Sequence, residues 1–274
     1  IKIMMQVTST AILIKRYAQD TFHYAVGLRE IAASKPFTRN TVVRLYSMTE
    51  PITSFAFMML VEKGLCHLNM PVSELLPEFK DMQALIPGAT SLDQTISCVT
   101  LTLHQLLTHT SGLSYGFNPR LIPELMRKRS LDFKPAQETL ANIFLRLSEI
   151  PLAFEPGKKW EYSVSIDVLG RVIEVISGQA LDNFFQSEIL NPLRMMKTGF
   201  RFQKRDGGNI ASLYTPLDGD PMELNAAEKG HDPLKLVDEE SGSPFWQSTV
   251  YSGGGGLVGN SDDYMKFVKV LRNG

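Results

Sequence analysis

Three observations predict an α+β fold: two β-like runs at the start, a strongly apolar helical stretch after them, and a long remainder in which helical periodicity dominates. Residues 10–16 and 21–27, parted by residues 17–20, have the pattern of a β-hairpin. Residues 52–63 repeat apolar side chains at 52, 55, 56, 59 and 60, one face of a helix. Phe57, Met58 and Val61 fill its other faces, so burial nearly all round is expected. Gly64 closes this helix in a position that tolerates positive φ.

After Leu68 the prolines at 71, 77 and 87 punctuate short segments, and helices then take over. Thr102-Leu-His-Gln105 is a capping-box pattern opening a short helix that ends at Ser111-Gly112. Residues 135–148 and 165–177 are amphipathic, the second with Ile166, Leu169, Ile173 and Ile176 in one stripe and Gly178 as its stop. Helix continues over 181–190 until Asn191-Pro192 breaks it. Residues 204–243 are polar and rich in Gly, Pro and Asp, and read as an extended loop region. Residues 262–271 are helical in pattern.

Composition narrows the function classes. With 43% apolar and 21% charged residues over 274 positions, the chain is a globular protein of one large domain or two ordinary ones. A net charge of −1 gives no electrostatic footprint for a nucleic-acid partner. The longest strictly apolar run, residues 55–61, falls far short of the roughly 20 residues that span a bilayer, so no membrane span is expected. Cys66 and Cys98 have no metal or redox spacing and read as free buried thiols. Five scattered histidines form no His-Glu-x-x-His pair, so neither a metal nor another cofactor is expected. No signal peptide is visible, and no motif distinguishes a cytoplasmic from a periplasmic location or sets the oligomeric state.

Four motifs carry the chemical reading. Ser47-Met-Thr-Glu50 precedes the apolar helix. As local structure it is a capping box, with the serine hydroxyl and the glutamate carboxylate satisfying end-of-helix N–H groups. As chemistry it puts a serine at a helix N-terminus, where N–H groups and the dipole stabilise an oxyanion, with a proton acceptor three residues on. His109-Thr-Ser-Gly-Leu113 reads as a histidine in a last helical turn followed by a glycine stop. In Pro156-Gly-Lys-Lys-Trp-Glu-Tyr162-Ser163, Tyr162 is either half-buried packing or a general acid or base. Gly254–Gly259 spells Gly-x-Gly-x-x-Gly, but no βαβ unit surrounds it, so close backbone approach is the better account.

Taken in this order, the four motifs resemble the family of class C β-lactamases, penicillin-binding D,D-peptidases and family VIII carboxylesterases, over nearly the whole chain. Arg44-Leu-Tyr-Ser-Met-Thr-Glu-Pro-Ile-Thr is similar to the nucleophile segment, with Ser47 in the nucleophile position and Glu50 where the family has lysine. Tyr162 resembles the catalytic tyrosine, and Ser163-Val164 replaces the x-Asn of the lactamases, as in the esterase branch. The resemblance implies an antiparallel sheet flanked by helices, packed on a mostly helical domain, with the active site between them. Residues 1–66 would then form the first part of the α/β domain and 67–274 the helical domain with long loops. The remaining strands and the third motif are expected beyond residue 274, which would make the chain a C-terminally truncated member. Two strands alone form a marginal sheet.

The implied activity is hydrolysis of esters of small acyl groups through an acyl-enzyme on Ser47, with Tyr162 moving the proton and the Ser47 N–H as one oxyanion donor. The partner is a small-molecule ester or lactam. The same residues would serve a β-lactamase, a D,D-peptidase or an acyltransferase, and Glu50 also admits a non-catalytic binding protein. A lysine at position 50 would polarise the serine and favour the tyrosine phenolate; glutamate reverses that sign. For unit charges about 4 Å apart the scale is roughly 4 kcal/mol at an effective dielectric near 20, an upper-end guide. Glu50→Lys is therefore expected to speed hydrolysis of a p-nitrophenyl ester by orders of magnitude, and equal rates for the two forms would contradict this electrostatic reading.

Overall fold

A computed structural model describes residues 9–16, 19–117, 120–131, 133–217 and 230–273. The first strands, β1 (Ser9–Arg16) and β2 (Gln19–Glu30), form the expected antiparallel hairpin, with Ile12 opposite Tyr24 and Leu13 opposite His23. Its predicted turn includes Tyr17 and Ala18, which lie outside the described residues. A short β3 (Lys35–Pro36) extends this to a three-stranded sheet ordered β1-β2-β3.

The chain then passes through β4 (Val43–Arg44) and a 3₁₀ turn, Tyr46–Thr49, into helix α1 (Glu50–Glu62), with Pro51 in its first turn. Ile52, Thr53, Ala56, Phe57 and Leu60 are buried, but Met58 is exposed and Val61 half-buried, so α1 is covered on fewer faces than its apolar content suggests. Gly64 follows with φ of 70°.

A ribbon of β5 (Gln83–Leu85) and β6 (Thr95–Ser97) precedes α2 (Leu103–Leu107). Both halves of the Thr102–Gln105 capping box are formed. The end of α2 differs from expectation. Its left-handed residue is His109 (φ 54°), one past the cap, with Thr110 N–H donating to Gln105 O and His109 N–H to Leu106 O. This pair of bonds ends the helix before Gly112 is reached.

Helix α3 (Leu121–Lys128) had no counterpart in the sequence reading. α4 (Leu140–Ser148) starts later than residue 135, because Thr139 caps it by accepting from Asn142 N–H. α5 (Ser165–Ser177) has the predicted bounds and ends at left-handed Gly178. α6 (Leu181–Phe185) runs into a π-helical turn, Gln186–Leu190.

The region read as a loop contains an antiparallel pair, β7 (Leu213–Leu217) and β8 (Gly230–Asp238). Pro216, Pro233 and interspersed charges give it the composition of a loop, while cross-strand pairing supplies the order that composition hides. β9 (Val258–Gly259) then pairs with β4, and α7 (Ser261–Asn273) ends the described chain.

α5 lies at the centre of the main hydrophobic core, burying Ile166, Val168, Leu169, Val172 and Ile173, and packs on α1, α2, α4 and α6. A second, smaller cluster gathers Val42, Phe202, Ile210, Phe245 and Val258. It surrounds the buried Arg44, whose Nε donates to Asp238 Oδ2 at 2.7 Å and whose Nη1 donates to Ala211 O at 2.6 Å. The guanidinium lies 5.3 Å from the Phe202 ring centre and 5.7 Å from that of Phe245. This pair fastens the end of β8 to the segment leading into Ser47. Removing one partner of a buried pair costs about 3–5 kcal/mol. Arg44→Ala is expected to lower the urea-unfolding free energy by about that amount, and a loss below about 1 kcal/mol would show the pair to be dispensable.

Candidate active site

Ser47 lies in the 3₁₀ turn ahead of α1 and is exposed. It is not a cap: neither this turn nor α1 has a side-chain capping bond. The backbone before it is tight, with Tyr46 at φ 46°. Several contacts hold this segment. Leu45 N–H donates to Leu257 O at 2.8 Å, Leu257 N–H to Thr49 Oγ1 at 3.1 Å, and Tyr264 Oη to Met48 O at 3.0 Å. One turn further, Thr53 Oγ1 donates to Gly253 O at 2.7 Å. The glycine-rich segment thus clasps α1, consistent with close backbone approach and unlike a dinucleotide site.

Tyr162 arrives from the other side on the extended stretch before α5. Glu161 N–H donates to His109 O at 2.9 Å and Ser163 N–H to His109 Nδ1 at 3.2 Å. Ser165 Oγ lies 2.7 Å from both Ser111 Oγ and Ser163 Oγ. Gly112 allows residues 111–114 to run this close: at φ 84°, a Cβ there would meet Phe154 O at 2.1 Å.

The three residues singled out in the sequence meet here. Tyr162 Oη lies 2.5 Å from Ser47 Oγ and donates a short hydrogen bond to Glu50 Oε1. Burial, followed by the hydrogen bond to Glu50, pushes the Tyr162 phenol well above its ordinary pKa. The other Glu50 oxygen is 3.7 Å from His109 Nε2.

Two further residues were not anticipated. Asp167, in the first turn of α5, is buried and accepts from Ser252 Oγ at 2.5 Å, Gly254 N–H at 3.0 Å and Tyr115 Oη at 3.4 Å. Burial pushes its carboxyl up to about 6, against the pull of those hydrogen bonds. The Tyr115 ring packs on Tyr162 with centres 5.1 Å apart. Asp167 sits beside an apolar stripe, so periodicity gives no hint of it; a carboxylate next to so many buried neighbours is the only trace. A Cβ on Gly254 would fall 2.5 Å from Asp167 Oδ2, which explains a glycine at that point.

Beside Ser47 and Tyr162 opens a cavity of about 520 Å³. Gly254, Gly255 and Gly256 line it together with Phe117, Phe133 and Lys134, with Leu213 and Val237 of the unanticipated β7–β8 pair, and with Phe245. Among the described residues no group of His, Cys, Asp and Glu side chains has the makings of a metal site, and no helix is long and apolar enough to cross a membrane. Cys66 and Cys98 are free thiols, and burial raises both, Cys98 to about 11, so neither supplies a ready thiolate.

Known proteins place this geometry in context. The family described as Beta-lactamase matches residues 4–274. Esterase EstB of Burkholderia gladioli is 31% identical over 271 residues, covering 95% of this chain and 64% of that protein. The lovastatin esterase of Penicillium rubens is 32% identical over 227 residues, covering 80% of this chain and 55% of its own length. Among solved structures, EstCE1, described as a hydrolase with promiscuous acyltransferase activity, superposes with a TM-score of 0.78 at 27% identity, over 98% of this chain and 68% of that one. The chain thus spans somewhat less than two thirds of the curated relatives' length. The expected antiparallel sheet with helices is the fold that this likeness describes, and the chain belongs to the β-lactamase family.

Proposed function

We propose that this chain carries the acyl-enzyme site of a serine hydrolase acting on esters of small acyl groups, with Ser47 as nucleophile and Tyr162 as the residue that moves its proton. The observation that carries this reading is the 2.5 Å approach of the two hydroxyls at the mouth of an apolar cavity. Ser47 Oγ would add to the ester carbonyl carbon, the alcohol would leave with a proton, and water would release the acid. The Ser47 N–H is one donor to the tetrahedral oxyanion. An alcohol arriving in place of water would give acyl transfer, and the hydrolase whose structure is similar has both activities in its description.

The Ser163-Val164 pair, in place of the x-Asn of the lactamases, favours an ester over a lactam. The cavity lining itself carries both signs of charge, Asp167 and Asp238 beside Lys134, with Asp238 paired to Arg44, so charge selects neither. Glu50 withholds the positive charge that a lysine would bring, and slow turnover is expected. A non-catalytic binding role rests on that same residue, but it leaves the serine–tyrosine contact without a purpose.

The test is covalent labelling. A fluorophosphonate is expected to modify Ser47, and Ser47→Ala to lose both the label and hydrolysis of p-nitrophenyl butyrate; an unlabelled Ser47 in the native chain would leave the binding reading standing. Asp167 yields a second expectation. The folded chain keeps its proton up to about pH 6, whereas an exposed aspartate releases it near 3.8. Its contribution therefore favours folding fully below about pH 4 and is lost as pH rises through about 6, about 3 kcal/mol in all. The unfolding free energy of wild type minus Asp167→Asn should fall by about that amount between pH 4 and pH 7, and a constant difference would contradict the burial assignment.

A further inference from the structure

The hydrogen bonds of Tyr162 fix where one proton sits. A phenol has a single proton, and an ionised carboxylate can only accept. Tyr162 Oη faces both Glu50 Oε1 and Ser47 Oγ. The charged acceptor makes the stronger bond, so the phenolic proton points to Glu50. The lone pairs of Tyr162 Oη then face Ser47, whose hydroxyl becomes the donor. The sequence of donors runs Ser47 to Tyr162 to Glu50.

His109 holds the far end. It occupies the left-handed position after α2 at φ 54°, where a glycine avoids a penalty of about 1–2 kcal/mol. Ser163 N–H donates to its Nδ1 at 3.2 Å, which puts the ring proton on Nε2. That Nε2 lies 3.7 Å from Glu50 Oε2, and the ring packs on Tyr162 with centres 5.0 Å apart. One Glu50 oxygen thus faces the tyrosine and the other faces the histidine.

We propose that Glu50 is the terminal proton acceptor of a serine–tyrosine–glutamate relay, with His109 as the residue that positions its carboxylate. The proposal rests on the reading of Ser47 as nucleophile. As Ser47 Oγ bonds to the ester carbon, its proton passes to Tyr162 Oη while the tyrosine's own proton passes to Glu50 Oε1. The carbonyl π pair moves onto oxygen. Glu50 is then neutral, and Tyr162 has the same charge as before. When the tetrahedral adduct collapses, the C–O bond to the leaving group breaks. The proton returns from Glu50 to Tyr162 as the tyrosine gives its own to the departing alkoxide. No phenolate forms at any stage, so a weakly acidic tyrosine is no obstacle. A lysine at position 50 would work by a different balance, holding positive charge beside the tyrosine.

The experiment reads the rate at which a fluorophosphonate modifies Ser47, followed by mass spectrometry of the 274-residue chain. This reaction needs the same deprotonation and no turnover. Glu50→Gln keeps the size and an acceptor oxygen but cannot take a proton, so the maximal labelling rate is expected to fall by about 10²–10⁴-fold with the probe's half-saturating concentration unchanged. Glu50→Asp should recover part of the loss. In mixtures of H₂O and D₂O the wild-type rate should fall along a curve, as two protons moving together require, a readout that needs no variant. A linear isotope dependence in the wild type, or a Glu50→Gln rate within about threefold of wild type, would overturn the relay while leaving Ser47 as nucleophile. A wild-type Ser47 that takes no label would overturn both readings.

Discussion

Two hydroxyls 115 residues apart in the chain, those of Ser47 and Tyr162, come within 2.5 Å of one another, and the surrounding architecture serves that approach. α1 carries the first at its entrance and α5 follows the second, so the packing of these helices against each other sets the gap. A hydrophobic core is non-directional; it brings helices together without fixing a distance to a few tenths of an ångström. The finer setting comes from polar contacts. Thr49 and Thr53 bind the glycine-rich segment, and Asp167 at the head of α5 binds that same segment through Ser252 and Gly254. Residues 252–257 are therefore a brace between the two helices as well as part of the cavity.

The charge pattern around this contact is unusual for a nucleophilic serine. Around it stand a phenol whose acidity burial has reduced, a glutamate, a histidine packed on that phenol and, by way of Tyr115, a buried aspartate held protonated to higher pH than usual. A site with these groups gains little from phenolate chemistry and depends on where hydrogen bonds direct existing protons. The fixed orientation of the imidazole, set by a backbone N–H and by ring packing on Tyr162, belongs to the same economy of protons.

Much of this was legible in the amino-acid order, and the boundary between what was and was not has a physical origin. The hairpin, α1, the Thr102 capping box and the bounds of α5 follow from periodicity and from residues within four positions of one another. Ser47, Glu50 and Tyr162 were found from motif context, and the structure brings the three side chains together. Asp167 escaped notice because its partners come from residues 252–254, far along the chain. The β7–β8 pair was hidden by prolines and charges, and Arg44 meets Asp238 across 194 positions. His109 was read as an ordinary last-turn residue, since nothing local announces that a histidine will take the left-handed place where glycine is usual. Of the two readings that the Ser47-x-x-Glu50 spacing allows, the capping box is not formed, and the serine is drawn into a longer-range contact instead.

The positions that line the cavity differ in their freedom to change. A side chain at Gly254 would begin within 3 Å of Asp167 and Tyr115, and one at Gly256 within 3 Å of Ser252 and Phe200, so neither admits a larger residue without a shift, whereas Gly255 has room for one. Leu213 and Val237, on a strand pair, and Phe245, in the turn beyond it, line the cavity as well. Divergence in the size or shape of the accepted molecule is therefore written more easily into these side chains than into Gly254 and Gly256.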